Sequence, residues 1–333
     1  MKKDVFVLTT GGTIAHRSGA DGLAVMGFDP RQLVSAIDVS DVNIHVVPVF
    51  QKGSMDVVPR DWQTIASAVG GAIESGATGV VVLHGTDTLH YTASALAFLL
   101  SGCGVPVVLT GSMIPGGDKD SDSLPNLRDA VTVAAYGDFA EVCVVFSADQ
   151  ERTKALIIRG CCARKVHSSA IDAFASINAP LIGTIKDRAI SQISPSVRAR
   201  ARPRRCDVAV LNTNVALIKL TPNMTPEMLA RFLSGVSGAV FEGTGVGHIR
   251  TDLQPIIEQF GKPAVVSTQA VYGGERLGIY DVDRKVLAIP NVIPAGNMSS
   301  ETALVKLMWA LGQGGDVYAI MRTDIAGELG PRR

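Results

Sequence analysis

The sequence predicts an α/β protein: a large N-terminal domain with a mostly parallel sheet flanked by helices, then a smaller C-terminal α/β domain. Three observations predict it. Short Val/Leu/Ile runs alternate with segments of helical period along most of the chain. The runs are apolar at successive positions, as strands covered on both faces must be. Finally, 333 residues exceed what one hydrophobic core usually supports. Apolar residues are 47% but aromatics only 5%, so the cores are built from small aliphatic side chains and disorder is excluded.

Val5–Thr10, Ile44–Phe50, Gly79–Leu83, Pro106–Thr110 and Glu141–Ser147 read as the strands of the first domain, each bounded by Gly, Pro or Asp. Between them, Pro59–Ser75 places Trp62, Ile65, Ala66, Val69 and Ile73 on one helical face, with Pro59 suited to the first turn. Leu89–Leu100 and Leu124–Tyr136 show the same period. The first domain is expected over 1–190, a linker over 191–207 and the second domain over 208–333. In the second, Val208–Leu211, Val215–Leu220, Gly238–Phe241 and Pro263–Thr268 are strand-like. Thr225 and Pro226 should open a helix burying Met228, Leu229, Phe232 and Leu233. Ser300–Leu311 carries a stripe of Leu304, Leu307, Met308 and Leu311, with Gly312 expected to stop it.

Lys+Arg and Asp+Glu both number 31, a balance that favours neither nucleic acid nor an anionic membrane. Arg198, Arg200, Arg202, Arg204 and Arg205 cluster in the expected linker, but nothing aromatic interleaves them. They read as a solvated linker or exposed strand edge. The two lysines at the start precede an apolar run of only Val5–Leu8, too short for a signal-peptide core, and no segment reaches the ~20 apolar residues of a membrane helix. Cys103, Cys143, Cys161, Cys162 and Cys206 are odd in number, without zinc-site spacing, and the adjacent pair reads as small core packing. A cytoplasmic location is expected.

Four segments can carry chemistry. Thr9–Ala15, TTGGTIA, places paired glycines and then a threonine hydroxyl at the carboxyl edge of the first strand, where ligands of parallel sheets bind. Alone it is equally a tight turn, and it has neither GxGxxG nor the GK[ST] ending of a nucleotide loop. His84–Thr88, HGTDT, sets a hydroxyl beside a carboxylate at a helix start, although Asp87 and Thr88 also suit plain capping. Gly53-Ser54-Met55-Asp56 offers a hydroxyl and backbone N–H groups to a carboxylate, or is merely a polar turn. Lys165, in Arg164-Lys165, is locally indistinguishable from a solvated surface lysine.

TTGGTIA at 9–15 and HGTDT at 84–88 resemble the two signature segments of the bacterial-type asparaginase/glutaminase family. The resemblance continues through GSM at 111–113, SDSLPNL at 121–127, FEGTGVGH at 241–248 and IPAGNMSSETALVKLMWAL near the end, so it covers essentially the whole chain in order. It implies that Thr13 is the nucleophile on a side-chain amide carbon, with Thr86, Asp87 and Lys165 completing the catalytic set. Gly12, Gly53, Ser54, Thr86 and Asp87 would bind substrate, Ser54 at the α-carboxylate and Asp87 at the α-ammonium. Backbone N–H groups around Gly12 and Thr86 would hold the oxyanion. No metal or cofactor is implied, and the resemblance implies a homodimer or homotetramer, with Tyr272, Glu275 or residues near them as candidates to reach a neighbour's pocket.

The expected activity is L-asparagine amidohydrolysis. Alternatives are another small amide, or the asparaginase-like subunit of a tRNA-dependent amidotransferase, against which a start directly at the first strand is counted. One departure bears on the substrate. The family carries a tyrosine in the loop after the first motif, whereas residues 16–29 contain none and Leu23 stands near its place. His16 and Tyr91 are the candidates to act instead.

Overall fold

A computed structural model of the chain describes residues 2–330 other than 20, 22, 40, 193, 205, 207 and 208. The chain divides into two units, residues 1–176 with 180–208 and residues 177–179 with 209–333. Arg205 and Val208, both singled out by the sequence, lie outside the described residues. No described helix is long and apolar enough to cross a membrane.

The first unit is built on an eight-stranded sheet in the order Ala189–Gln192, Gly183–Lys186, Lys154–Arg159, Val142–Ser147, Val107–Thr110, Gly79–Leu83, Lys3–Gly11 and Val42–Lys52. The five strands expected from the sequence pair in parallel. Lys154–Arg159, Gly183–Lys186 and Ala189–Gln192 add an antiparallel extension at one side. The central strand Gly79–Leu83 is buried at every position, the outcome of covering both faces with helices. One covering helix is Pro59–Glu74, which buries Trp62, Ile65, Ala66, Val69 and Ile73. Its first turn is held by Asp61, whose carboxylate accepts from the Val58 N–H at 2.9 Å and from Lys52 Nζ at 2.8 Å.

The arginine-rich stretch is only partly solvated: Arg202 and Arg204 are exposed, but Arg198 and Arg200 are half-buried. Arg200 donates to the carbonyls of Thr78, Ala134 and Gly137 at 2.7–3.0 Å, and Arg198 Nη1 donates to Ser101 Oγ at 2.8 Å. The carbonyls at the end of helix Ser123–Tyr136 have no partner within the helix, and a guanidinium satisfies several at once.

The second unit carries a parallel sheet in the order Val215–Lys219, Gly238–Gly243, Ala264–Thr268, Val292–Pro294. Residues 209–214 form no strand. The Asn212 N–H donates at 2.9 Å to the Met308 carbonyl in helix Ser300–Gly312, so this segment lies along a helix and not beside a strand. That contact also corrects the role of Gly312, which is the last residue of the helix: a Cβ there would stand 1.8 Å from the Val210 carbonyl oxygen. Thr225 caps helix Pro226–Leu233, accepting from the Met228 N–H at 3.2 Å. Only Leu229 and Leu233, one turn apart, face the core. Met228 and Phe232 are 36% and 50% exposed, displaced to the flank by about 100° of helical rotation.

Candidate active site

Four neighbouring parallel strands end on one edge of the first unit. Thr9 stands opposite Leu83, Leu83 opposite Thr110, and Gly11 opposite Lys52. The segments leaving them carry TTGGTIA, HGTDT, GSM and Gly53-Ser54, so three-dimensional proximity of these motifs is a consequence of register. Thr13–Ala15 is a single 3₁₀ turn entered through Gly12 at φ 81°. A Cβ on Gly12 would stand 2.3 Å from the Gly85 Cα and backbone N, and one on Gly85 would stand 2.7 Å from Ser54 Oγ. Two glycines are therefore what lets the three loops touch. Ser54 is buried in the turn Ser54–Asp56, and Thr88 Oγ1 donates to its carbonyl at 2.6 Å. Thr88 makes no side-chain cap on helix Leu89–Leu99.

Lys165 ends the short strand Ala163–Lys165, which pairs with Phe174–Ser176. Its Nζ donates to Thr86 Oγ1 at 2.9 Å and to Asp87 Oδ1 at 2.7 Å. The lysine side chain is 11% exposed and the aspartate 67%, so this half-open ion pair adds little to stability. Its consequence is positional: an amine, a hydroxyl and a carboxylate are fixed within hydrogen-bond reach. A cavity of about 340 Å³ adjoins them, lined by Asp87, His90, Lys165, Val166, His167 and Ser168. A larger cavity of about 560 Å³, bordered by Thr9, Ala15, Phe28 and Phe50, contains none of the four expected catalytic residues. Volume alone is a poorer guide here than the convergence of polar groups.

Thr86 and Asp87 are thus joined by hydrogen bonds from the Lys165 amine, while the turn that carries Thr13 follows Gly12, which is packed on Gly85. The Thr13 hydroxyl has no hydrogen-bond partner among the described residues, and its carbonyl accepts from the Gly116 N–H at 3.1 Å. One expectation is corrected. The Gly12 N–H donates to the Lys52 carbonyl at 3.0 Å, which removes it from the candidates for an oxyanion donor. Glu275 is buried and accepts from the Gly296 N–H at 3.0 Å.

Of the two groups considered in place of a loop tyrosine, His16 meets the Thr13 turn. Its Nδ1 donates to the Gly12 carbonyl at 2.7 Å, the same oxygen that accepts from the Ala15 N–H at 2.9 Å. Tyr91 lies on helix Leu89–Leu99, its ring tilted against His90 at 4.6 Å between centroids. Leu23 is 66% exposed.

Sequence reading passed over His84. It follows the wholly buried strand Gly79–Leu83, and that position was the available signal that the imidazole is enclosed. Its Nδ1 donates to the Gly85 carbonyl at 2.8 Å and its Nε2 accepts from Thr92 Oγ1 at 3.0 Å. Complete burial lowers its pKa from 6.5 to about 4. The unfolded chain therefore binds the proton more readily. The associated stability is fully present above pH 6.5 and is lost as pH falls toward about 4. At full size this is about 3 kcal/mol. Denaturant titrations at pH 7 and pH 4 should show His84→Asn losing about 3 kcal/mol less than the parent; equal losses would refute the assignment.

Residues 4–198 match the family model described as Asparaginase, N-terminal, and residues 214–323 match the Glutaminase/Asparaginase C-terminal domain. A protein of Thermococcus kodakarensis named L-asparaginase is 39% identical over 340 residues, spanning 98% of each chain. The solved structure of the thermostable L-asparaginase from Thermococcus kodakarensis superposes with a TM-score of 0.89 at 38% identity, covering 99% of this chain and 100% of that one. L-asparaginase I of Vibrio cholerae superposes at 0.84 with 28% identity, covering 99% of both. A Methanosphaera stadtmanae protein, named as one subunit of a glutamyl-tRNA(Gln) amidotransferase, is 34% identical over 343 residues, 98% of this chain and 77% of that one. With both domain models matched in order and the motifs converging on one sheet edge, the chain belongs to the asparaginase family of hydrolases.

Proposed function

We propose that the protein hydrolyses the side-chain amide of L-asparagine to aspartate and ammonia, with Thr13 as nucleophile. The observation that carries this reading is the Lys165 amine held at 2.9 Å from Thr86 Oγ1 and 2.7 Å from Asp87 Oδ1, in the segment whose Gly85 packs against the Gly12 that opens the Thr13 turn. A threonine hydroxyl is a weak nucleophile until a neighbouring group takes its proton. Thr13 Oγ1 attacks the amide carbon, the C–N bond breaks, and the hydroxyl proton, relayed through the Thr86–Lys165–Asp87 group, leaves on ammonia. Water then attacks the acyl-enzyme ester, releasing aspartate and restoring the hydroxyl. Ser54 and Gly53 receive the substrate α-carboxylate and Asp87 the α-ammonium. The enzyme works as a cytoplasmic homodimer or homotetramer.

A second reading has its own support, the 34% identity across 98% of the chain to a protein named as part of a tRNA-dependent amidotransferase. On that reading the same site releases ammonia for transfer to tRNA-bound glutamate. One experiment separates them: ammonia release from asparagine, glutamine and a panel of small amides, measured for the protein alone against a Thr13→Ala background. Asparagine turnover by the protein alone supports the first reading. Glutamine turnover that appears only with an amidotransferase partner and tRNA supports the second. No ammonia above background under either condition would sink both.

A further inference from the structure

We infer that His84 is a positioning residue that aims the Thr86 backbone N–H at the oxyanion of the reaction. The inference rests on the amide-hydrolase reading above. The argument follows from the geometry of a trans peptide, in which C=O and N–H point in opposite directions. In the Gly85–Thr86 peptide, the Gly85 carbonyl is drawn into the protein interior by His84 Nδ1–H at 2.8 Å. The N–H of the same peptide must then point the other way, out of the interior and toward the edge where Thr13, Thr86 and Lys165 gather. No acceptor for it exists among the described residues, whereas the Gly12 N–H is already spent on Lys52.

The imidazole is itself held from behind. A carbonyl only accepts, so Nδ1 carries the proton, and Nε2 is left to accept from the fully buried Thr92 hydroxyl at 3.0 Å. The His84 backbone adds two restraints: its N–H donates to the Thr110 carbonyl at 2.9 Å, and a Cβ on Gly111 would stand 2.3 Å from its carbonyl oxygen. Burial keeps the ring neutral above about pH 4, so the tautomer persists across the working range. Gly85 is pressed between Gly12 and Ser54: a Cβ on it would stand 2.7 Å from Ser54 Oγ and 3.1 Å from the Gly12 Cα. A donor fixed in this way costs no reorganisation when charge develops on the substrate oxygen.

Paired variants of the full chain test this. In His84→Asn the side-chain amide nitrogen falls near the place of Nδ1 and can still donate to the Gly85 carbonyl. In His84→Gln the amide falls nearer Nε2, keeping the Thr92 partner but losing that donor. His84→Gln is expected to lower kcat for the amide substrate roughly 100-fold with KM changed less than about threefold, the loss typical of one oxyanion donor. His84→Asn should recover most of kcat. Thr92→Val, which frees the ring without touching the site, should lower kcat several-fold and supplies the measurement if His84→Gln does not fold. The inference is overturned if His84→Gln keeps the parent kcat, if both His84 variants fall alike, or if folded Thr92→Val is unchanged. Failure of the amide-hydrolase reading is separately visible, as absence of ammonia release by the unmodified protein.

Discussion

Thr13→Ala is expected to lower kcat for ammonia release by roughly 10⁴-fold or more while leaving the protein folded, because removal of the nucleophile leaves only binding and oxyanion stabilisation. The side chain it removes is half-buried and without a hydrogen-bond partner among the described residues, so its stability cost should stay within about 1 kcal/mol. The turn that carries it is set by the backbone: Gly12 at φ 81°, the Ala15 N–H to the Gly12 carbonyl, and the Gly116 N–H to the Thr13 carbonyl, none of which involves the hydroxyl. Steady-state ammonia assays beside thermal melts check both halves. Retention of more than about a hundredth of kcat in a folded Thr13→Ala protein would move the nucleophile elsewhere.

The largest stability effect is expected in the second unit, from Lys306→Met. Lys306, on helix Ser300–Gly312, is fully buried and bonds Glu328 at 2.5 Å, the Met321 carbonyl at 3.0 Å and the Thr323 carbonyl at 2.7 Å. Glu328 in turn accepts from the N–H groups of Ile325 and Ala326 at 2.6–3.1 Å. Together they tie residues 321–328 to the helix. Removing only the cation leaves an uncompensated buried carboxylate and two carbonyls without their donor, at a cost of about 3–5 kcal/mol. A fall of roughly 10 °C in the melting temperature follows for a unit of this size. The double variant Lys306→Met with Glu328→Gln should regain part of it, since the stranded charge is gone while an oxygen still accepts from the loop. A double variant no more stable than the single one would show that packing, not the charge, accounts for the loss.

The sequence alone was enough for the class of fold, because hydrophobic period is a local property. Gly79–Leu83 is apolar at every position and is buried on both faces, and the stripe in Pro59–Glu74 faces the core residue for residue. Local signals marked Thr9–Ala15 and His84–Thr88 only as segments able to carry chemistry; it was the resemblance of these motifs to the family's signatures that pointed to Thr13, Thr86 and Asp87. Where period is ambiguous it failed: Val208–Leu211 reads like a strand, yet residues 209–214 lie along a helix, and Met228 and Phe232 share an apolar run with Leu229 and Leu233 without sharing their face. Arg200 looks solvated because nothing nearby in sequence shows the helix-end carbonyls that receive it. Only tertiary structure brings the side chains of these segments together. Lys165 is an ordinary lysine until the ribbon at 163–176 sets its amine 2.9 Å from Thr86. His84 is an ordinary buried histidine until its Nδ1–H turns the next peptide, and Gly12 an ordinary turn residue until Gly85 is found against it. In each case the partner lies far away along the chain, or the effect depends on the direction of a single bond. Neither is written in local composition.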